Sequence, residues 1–150
     1  AAPAGDAKAP AANRAQAPSD LTAEALTALQ KAVDAVLKAA GSTVEEWRVL
    51  SLLADGDGHA MTGIAEHALL PAPTLTKVVD RLVSANLVYR RPDDADRRRV
   101  LVFLSERGQA ELARLTALVE SEWSRVQDAV GREELALLRA LLTRISTHLP

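Results

Sequence analysis

The stretch that decides the fold covers residues 73–108 and reads PTLTKVVDRLVSANLVYRRPDDADRRRVLVFLSERG. Its beginning predicts an amphipathic helix over residues 73–84, because apolar side chains recur there at helical spacing. The buried stripe of this helix consists of Leu75, Val78, Val79 and Leu82. Its outward face carries hydrogen-bonding and cationic side chains, which are Thr74, Lys77 and Arg81, with Thr76 beside them.

The rest of the stretch predicts a β-hairpin with a basic tip. Residues 87–91 and 98–104 are rich in Val, Tyr, Phe and Leu, which is typical of strands. Residues 92–96, between them, have the composition of a turn. The hairpin carries five arginines, which are Arg90, Arg91, Arg97, Arg98 and Arg99.

A short helix is predicted directly before the amphipathic one. Thr62 is its expected cap, and Pro71 and Pro73 are expected to stop it. Its apolar side consists of Ile64, Ala65, Ala68 and Leu69. Two short helices with a tight connection indicate a helix-turn-helix.

Two more helices are predicted upstream, after an Ala- and Pro-rich tail at residues 1–18 that we expect to be flexible. Ser19 is the expected cap of the first, which ends at Gly41. Its apolar positions are Leu26, Leu29, Val33 and Val36. The second opens with a capping-box pattern of Thr43 and Glu46 and is broken by residues 55–58. It directs Trp47, Leu50 and Leu53 inward.

Two helices are predicted after the hairpin. Ser105 is expected to cap a long one that ends at Gly131. The last has apolar residues spaced alternately three and four apart, which are Leu135, Leu138, Leu142, Ile145 and Leu149. This spacing is typical of a coiled-coil seam and indicates a partner helix.

The amphipathic helix and the basic hairpin together suit double-stranded DNA. The major groove admits one helix, and the phosphates attract cations beside it. An arginine at a hairpin tip suits a narrow, negative minor groove. The net charge of the chain is only −2, but residues 73–107 hold eight basic and five acidic residues. The basic charge is therefore concentrated where the predicted interface lies.

Residues 61–108 resemble the winged helix-turn-helix core of the MarR family of regulators. The most specific match is in the hairpin, where Asp96-Arg97-Arg98 fits an Asp-x-Arg motif. An apolar strand follows it, and then a Leu-Ser-x-x-Gly variant of Leu-Thr-x-x-Gly at residues 104–108. The order of the predicted helices also resembles that of the family, over residues 21–149. The resemblance implies a mainly α fold with a small β-hairpin wing. It also implies a single domain over residues 19–150, with a winged helix-turn-helix core at residues 43–104. Dimerisation helices at residues 19–41 and 106–150 would flank this core.

The resemblance also implies functional roles. The helix at residues 73–84 would enter the major groove, Arg98 would reach the minor groove, and Asp96 would steady the wing. The expected DNA contacts are Thr74, Thr76, Lys77, Arg81, Arg90, Arg91, Arg97, Arg98 and Arg99. We expect Arg81 to contact phosphate, and Asp80 to be structural, paired with Lys77 or Ser84.

A homodimer and a ligand follow from the same resemblance. The expected dimer contacts are Leu26, Leu29, Val33, Leu135, Leu138, Leu142, Ile145 and Leu149. A phenolic or carboxylate effector would bind between the dimer helices and the DNA-binding core and release a repressor from DNA. Trp47 and Arg48 are the candidate effector residues, although Trp47, like Trp123, lies on an apolar stripe and fits a core position better.

Other kinds of protein are disfavoured. The chain has no cysteine, which excludes disulfides, thiolate metal sites and the peroxide-sensing branch of the family. His59, His67 and His148 are isolated, so neither a metal nor another cofactor is expected. No catalytic triad or phosphate-binding loop is visible, so we do not expect an enzyme. Apolar runs fall short of the roughly 20 residues of a membrane span, and we expect a soluble cytoplasmic protein.

Two alternatives remain open from the sequence. The winged helix is also a scaffold for protein interactions, in which case the terminal helices would be the docking surface and duplex DNA would not bind. A small hydrolytic enzyme is the weaker alternative, because a nucleophile and a base at suitable spacing are lacking.

Overall fold

The computed structural model describes residues 18–149, which form six helices and three short strands. The elements are α1 (Pro18–Ala39), α2 (Val44–Leu53), β1 (His59–Ala60), α3 (Met61–Ala68), α4 (Ala72–Ser84), β2 (Val88–Pro92), β3 (Val100–Leu104), α5 (Glu106–Val130) and α6 (Arg132–His148). The predicted mainly α fold with a β wing is confirmed. Residues 1–17 of the predicted tail lie outside the described residues. Pro18, the last residue of the predicted tail, belongs to α1. Because α1 begins there, Ser19 is not its cap.

Side-chain caps fix the starts of two helices as predicted. The Thr43 hydroxyl accepts a hydrogen bond from the Glu46 backbone N–H at 3.2 Å, and the Glu46 carboxylate accepts one from the Thr43 N–H at 3.2 Å. The Ser105 hydroxyl accepts from the Gly108 N–H at 2.9 Å and opens α5. Each bond satisfies a backbone donor that the first helical turn leaves free.

The start of α3 differs from the prediction. Ala60, not Thr62, is the N-cap, and no side chain caps this helix. The reason is β1, a two-residue strand that the sequence pattern did not indicate. His59 and Ala60 pair with β3, so the helix begins as soon as the strand ends. Thr62 therefore lies within the first turn.

The end of α3 also differs from the prediction. The helix stops at Ala68, before the prolines, because Leu69 adopts the left-handed conformation with a φ of 55°. The Leu69 N–H donates to Glu66 O at 3.3 Å, and the Leu70 N–H donates to Ala65 O at 3.0 Å. These two bonds form a Schellman motif, in which the residue in the left-handed conformation is usually glycine. Leu69 is 81% exposed and does not contribute to the apolar side of the helix.

The wing is a three-stranded antiparallel sheet in the order β1-β3-β2. At the tip, β3 is shorter than predicted because it begins only at Val100, whereas β2 ends at Pro92, one residue later than predicted. Residues 93–99 form the loop between β2 and β3, so Arg97, Arg98 and Arg99 all lie in the loop and not in a strand. The predicted strand start at residue 98 is therefore wrong by two residues.

The core joins the helix-turn-helix to the sheet and to one end of α1 and α5. Its fully buried side chains include Leu37, Leu50, Leu53, Ile64, Leu75, Val79, Leu82, Val102 and Leu115. The predicted buried stripe of α4 is confirmed. By contrast, α6 contributes only one buried residue, Leu135. The far end of the molecule is therefore left with apolar side chains that no described element covers.

Candidate nucleic-acid interface

The outer face of α4 presents the four side chains expected to meet DNA. Thr74, Thr76, Lys77 and Arg81 are all exposed. Three of them, Thr74, Lys77 and Arg81, line one shallow depression of the surface. The Thr76 hydroxyl donates to Ala72 O at 3.0 Å, so its proton is used within the helix while its oxygen stays free to accept. A helix with small polar and cationic side chains on one face suits a major groove.

Arg81 is paired with a residue of another helix. Its Nε lies 3.5 Å from Oε1 of Glu46, the residue that caps α2. The arginine side chain is 59% exposed, whereas the glutamate side chain is only 13% exposed. The sequence did not predict this contact, since the two residues are far apart along the chain.

Asp80 is structural, but its predicted partner is wrong. Its carboxylate accepts a hydrogen bond of 2.5 Å from the Arg90 guanidinium, so it joins α4 to β2. The Ser84 hydroxyl donates at 2.9 Å to the backbone oxygen of Asp80 and not to its carboxylate. Arg90 was expected to contact DNA, and in this structure its guanidinium is bound to α4.

The loop at the wing tip is organised by two aspartates. The Asp96 carboxylate accepts from the Arg98 N–H at 3.1 Å, and the Asp96 backbone oxygen accepts from the Arg99 N–H at 2.8 Å. The Asp93 carboxylate accepts from the Ala95 N–H at 2.9 Å and lies 3.8 Å from the Arg99 guanidinium. Arg97 and Arg98 form no ion pair with any side chain from residue 23 to residue 149. Their charges are therefore the ones available at the tip.

The two arginines of β2 lie on opposite faces of the sheet, because side chains alternate along a strand. Arg90 faces α4, whereas Arg91 lies over the Phe103 ring, with 4.6 Å between its Cζ and the ring centroid. Phe103 also stacks on Tyr89 at a centroid distance of 5.5 Å. The five hairpin arginines, predicted as one set, therefore lie in three places. Arg97, Arg98 and Arg99 lie in the tip loop, Arg90 is bound by Asp80, and Arg91 packs on Phe103.

An apolar cavity of about 820 Å³ lies between α1, α5 and α6. Trp47 and Trp123 both line it, and the Trp47 indole N–H donates to the Thr116 hydroxyl at 3.3 Å. Trp47 is half-buried and also packs against the core. Arg48 does not line this cavity. Of the two candidate effector residues, only Trp47 is therefore placed at a cavity.

The expected dimer residues fall into two groups. Leu135 is only 5% exposed in the single chain, so it has little surface to offer a partner. All of the others reach the surface or the cavity wall, namely Leu26, Leu29, Val33, Leu138, Leu142, Ile145 and Leu149. The sequence pattern missed Leu137 and Leu141, which are 63% and 45% exposed on a neighbouring stripe of α6.

Shifted pKa values occur at residues other than those on the outer face of α4 and in the loop at the wing tip. The Asp57 N–H, and next the His59 ring at 2.6 Å, lower the pKa of the Asp55 carboxyl. Hydrogen bonds from Arg114 lower the pKa of Glu111, and Glu111 in turn raises the pKa of Arg114. Arg114 also donates to Ala40 O at 3.0 Å, which ties α5 to the end of α1. These groups support the scaffold.

Residues 18–149 contain no group of three or more His, Asp or Glu side chains placed to hold a metal ion. His59 pairs with Asp55, and the His148 ring lies 2.7 Å from Arg144 O. No helix in the described part of the chain is long and apolar enough to cross a membrane.

The helix-turn-helix, the three-stranded wing and the long flanking helices define a winged helix-turn-helix protein. Comparison with known proteins is more specific. A family model described as the MarR family matches residues 40–99. The HTH-type transcriptional regulator PecS of Dickeya dadantii is 31% identical over 125 residues, which are 81% of this chain and 75% of PecS. The HTH-type transcriptional regulator FarR of Neisseria gonorrhoeae is 29% identical over 123 residues, 82% of this chain and 84% of FarR.

A solved structure agrees with the sequence relatives. NadR, crystallised in complex with 4-hydroxyphenylacetate, matches with a TM-score of 0.69 and 26% identity, over 94% of this chain and 100% of NadR. The chain belongs to the MarR family of winged-helix transcriptional regulators.

Proposed function

We propose that this protein is a sequence-specific repressor that binds double-stranded DNA as a homodimer and leaves it when a small aromatic or carboxylate effector binds. The observation that carries the proposal is the joint placement of α4 and the wing. The 2.5 Å bond between Asp80 and Arg90 holds the exposed face of α4 and the basic hairpin in one unit. Such a unit can present a helix to the major groove and an arginine to the adjacent minor groove.

The exposed cations support a division of roles at the DNA. Lys77 has no acidic partner among the side chains of residues 23–149, and neither do Arg97 and Arg98. Phosphate contacts set register and most of the affinity, whereas base-edge contacts set specificity. We assign phosphate contact to Lys77 and Arg81, minor-groove contact to Arg98, and base contact to Thr74 and Thr76. Asp96 serves as the residue that shapes the wing loop.

A homodimer is supported by the apolar surface of α6. Leu138, Leu142, Ile145 and Leu149 are between 37% and 66% exposed in the single chain. A water-facing stripe of this length favours a second copy of α6 and of α1 as its cover. Two copies related by a twofold axis would place their recognition helices roughly 34 to 36 Å apart, on a pseudo-palindromic site.

An effector site is supported by the cavity beside Trp47. Its walls are mainly apolar, with Trp47 and Trp123 available for stacking, and its charged lining residues are Arg139, Glu120 and Glu122. The α6 part of the wall is shared with the proposed dimer contact, so the effector would lie where the two copies meet. NadR was crystallised with 4-hydroxyphenylacetate, an aromatic carboxylate. A ligand of this class would release the protein if it binds more tightly to a dimer whose helix spacing does not fit DNA.

Selection of binding sites from a random duplex library with the purified protein tests the proposal. We expect a two-half-site sequence, and affinity for it should fall steeply as salt increases. Arg98→Ala should then weaken binding to that sequence at fixed salt. Recovery of no preferred sequence, together with no binding to random duplex at low salt, would favour a protein-interaction module instead.

A further inference from the structure

A partly buried acid lies against an exposed arginine of α4. The Glu46 side chain is 13% exposed, and the Arg81 side chain that it contacts is 59% exposed. The partners belong to α2 and α4, so the contact crosses from one helix to another. Arg81 is also one of the residues that line the depression on the outer face of α4. A negative charge is therefore placed next to a cation on the surface that we assign to DNA.

Glu46 is fixed in position, and Arg81 is not. Oε2 of Glu46 accepts hydrogen bonds from the Ser42 hydroxyl at 3.0 Å and the Thr43 N–H at 3.2 Å, and both belong to the cap of α2. Its other oxygen, Oε1, is the one that faces Arg81. The carboxylate cannot follow the guanidinium outward without breaking this cap. Only Nε of Arg81 faces Glu46, so a phosphate must either share the guanidinium with this carboxylate or displace the carboxylate from it.

The pair is loose enough for such an exchange. The Nε to Oε1 distance of 3.5 Å exceeds the 2.7 to 2.9 Å of a well-formed charge-assisted bond. The neighbouring pair of Asp80 and Arg90, at 2.5 Å, is tighter. Charge attraction, more than an aligned hydrogen bond, thus holds Arg81, and an ion pair with this exposure is weak.

We propose that Glu46 competes with DNA phosphate for the Arg81 guanidinium and so lowers the DNA affinity of the protein. The proposal rests on the proposed DNA-binding function. Glu46 acts through Arg81 and touches no DNA itself. Its removal should therefore increase affinity only where Arg81 is present.

Glu46→Gln is the informative variant, because glutamine also serves at this position of a capping box and keeps the start of α2. Glu45→Gln is the matched control, since it removes the same charge from the same helical turn and makes no contact with Arg81 among the described residues. The DNA affinity of each variant is compared with that of the unchanged protein, and the same two changes are also made in an Arg81→Gln background. Affinities are measured by titration with the selected duplex at several salt concentrations. Urea unfolding of each variant establishes that it is folded.

We expect Glu46→Gln to tighten binding about two- to fivefold, which matches the free energy of an exposed ion pair. The slope of log affinity against log salt should steepen by less than about 0.9, because Arg81 contacts a phosphate in both proteins but meets no opposing carboxylate charge in the variant. Glu45→Gln should change both quantities less, and the effect of Glu46→Gln should vanish without Arg81. Equal effects of the two variants, or a gain that persists in the Arg81→Gln background, would overturn the proposal. If the unchanged protein binds no duplex, the proposed function itself fails, and this inference fails with it.

Discussion

The Asp80 carboxylate of α4 accepts a 2.5 Å hydrogen bond from the Arg90 guanidinium of β2. This bond joins the helix proposed to enter the major groove to the strand that leads into the wing tip. The side chains are 56% and 36% exposed, so the pair contributes at most about 1 kcal/mol to stability. Its position gives it a larger effect on DNA recognition than on folding, because it sets the angle between two DNA-contacting elements.

Asp80→Asn should therefore reduce specificity more than affinity. Loss of one negative charge strengthens binding to every duplex, whereas a misplaced wing weakens only the selected site. We expect the ratio of selected-site to random-duplex affinity to fall about fivefold, in line with a loss of about 1 kcal/mol. Titration of both duplexes at one salt concentration measures this ratio.

Two further variants make the test specific. Asp94→Asn removes the same charge from an aspartate of the tip loop whose side chain is 93% exposed and lies 3.8 Å from Arg91. It breaks no contact between α4 and β2, so it should leave the ratio unchanged. The double variant Asp80→Arg with Arg90→Asp exchanges the two charges and so keeps an ion pair between α4 and β2. It should recover much of the ratio of selected-site to random-duplex affinity. A double variant no better than the single ones would show that Arg90 contacts DNA directly.

The arginines Arg91 and Arg98 should behave differently from each other. Arg91 lies over the Phe103 ring on the sheet face away from α4 and 3.8 Å from Asp94. Arg98 lies in the loop at the tip without an acidic partner among residues 23–149. Arg98→Gln should reduce the salt slope by about 0.9, and Arg91→Gln should leave it nearly unchanged. Salt titrations of the two variants provide the comparison. Equal losses of slope would mean that Arg91 leaves the ring to reach the phosphates.

The left-handed Leu69 should be replaceable by glycine with a gain in stability. A non-glycine residue in this conformation costs roughly 1 to 2 kcal/mol, and Leu69 loses little burial because it is 81% exposed. Leu69→Gly should raise the melting temperature by about 2 to 4 °C. Leu69→Ala removes the same side chain without relieving the backbone, so it should give no such gain. A lower melting temperature for Leu69→Gly than for Leu69→Ala would contradict this explanation.

Local patterns predicted much of this molecule. The stripe of Leu75, Val78, Val79 and Leu82 and the caps at Thr43 and Ser105 follow from helical spacing and hydrogen-bond chemistry within a few residues, and all are observed. The strand β1 was missed because two residues are too few to show a period. The left-handed Leu69 was missed because no glycine marks the turn.

The partners within the candidate site could not be predicted in the same way. Spacing along a helix compares only residues three or four apart, so Asp80 was assigned to Lys77 or Ser84. Its actual partner, Arg90, depends on how β2 returns beside α4. The contact of Arg81 with Glu46 depends on how α2 packs against α4. Such contacts follow from tertiary packing, which a single sequence does not display.

The apolar surface of α6 is wider than a two-helix seam requires. Leu138, Leu142 and Leu149 line the cavity over α1 and α5, whereas Leu137 and Leu141 form a second exposed stripe. A simple coiled coil covers only one narrow stripe, so we expect a dimer in which each α6 meets more than one helix of its partner. Leu142→Glu and Leu137→Glu should each weaken the dimer on the order of 100-fold, because each would bury a charge without a partner. Ala136→Glu is the control, since Ala136 is exposed, does not line the cavity and lies about 100° around the helix from Leu137 and about 120° from Leu142. Sedimentation over a range of concentrations measures the three dissociation constants. A dimer that tolerates Leu137→Glu as well as Ala136→Glu would restrict the interface to the cavity side of α6.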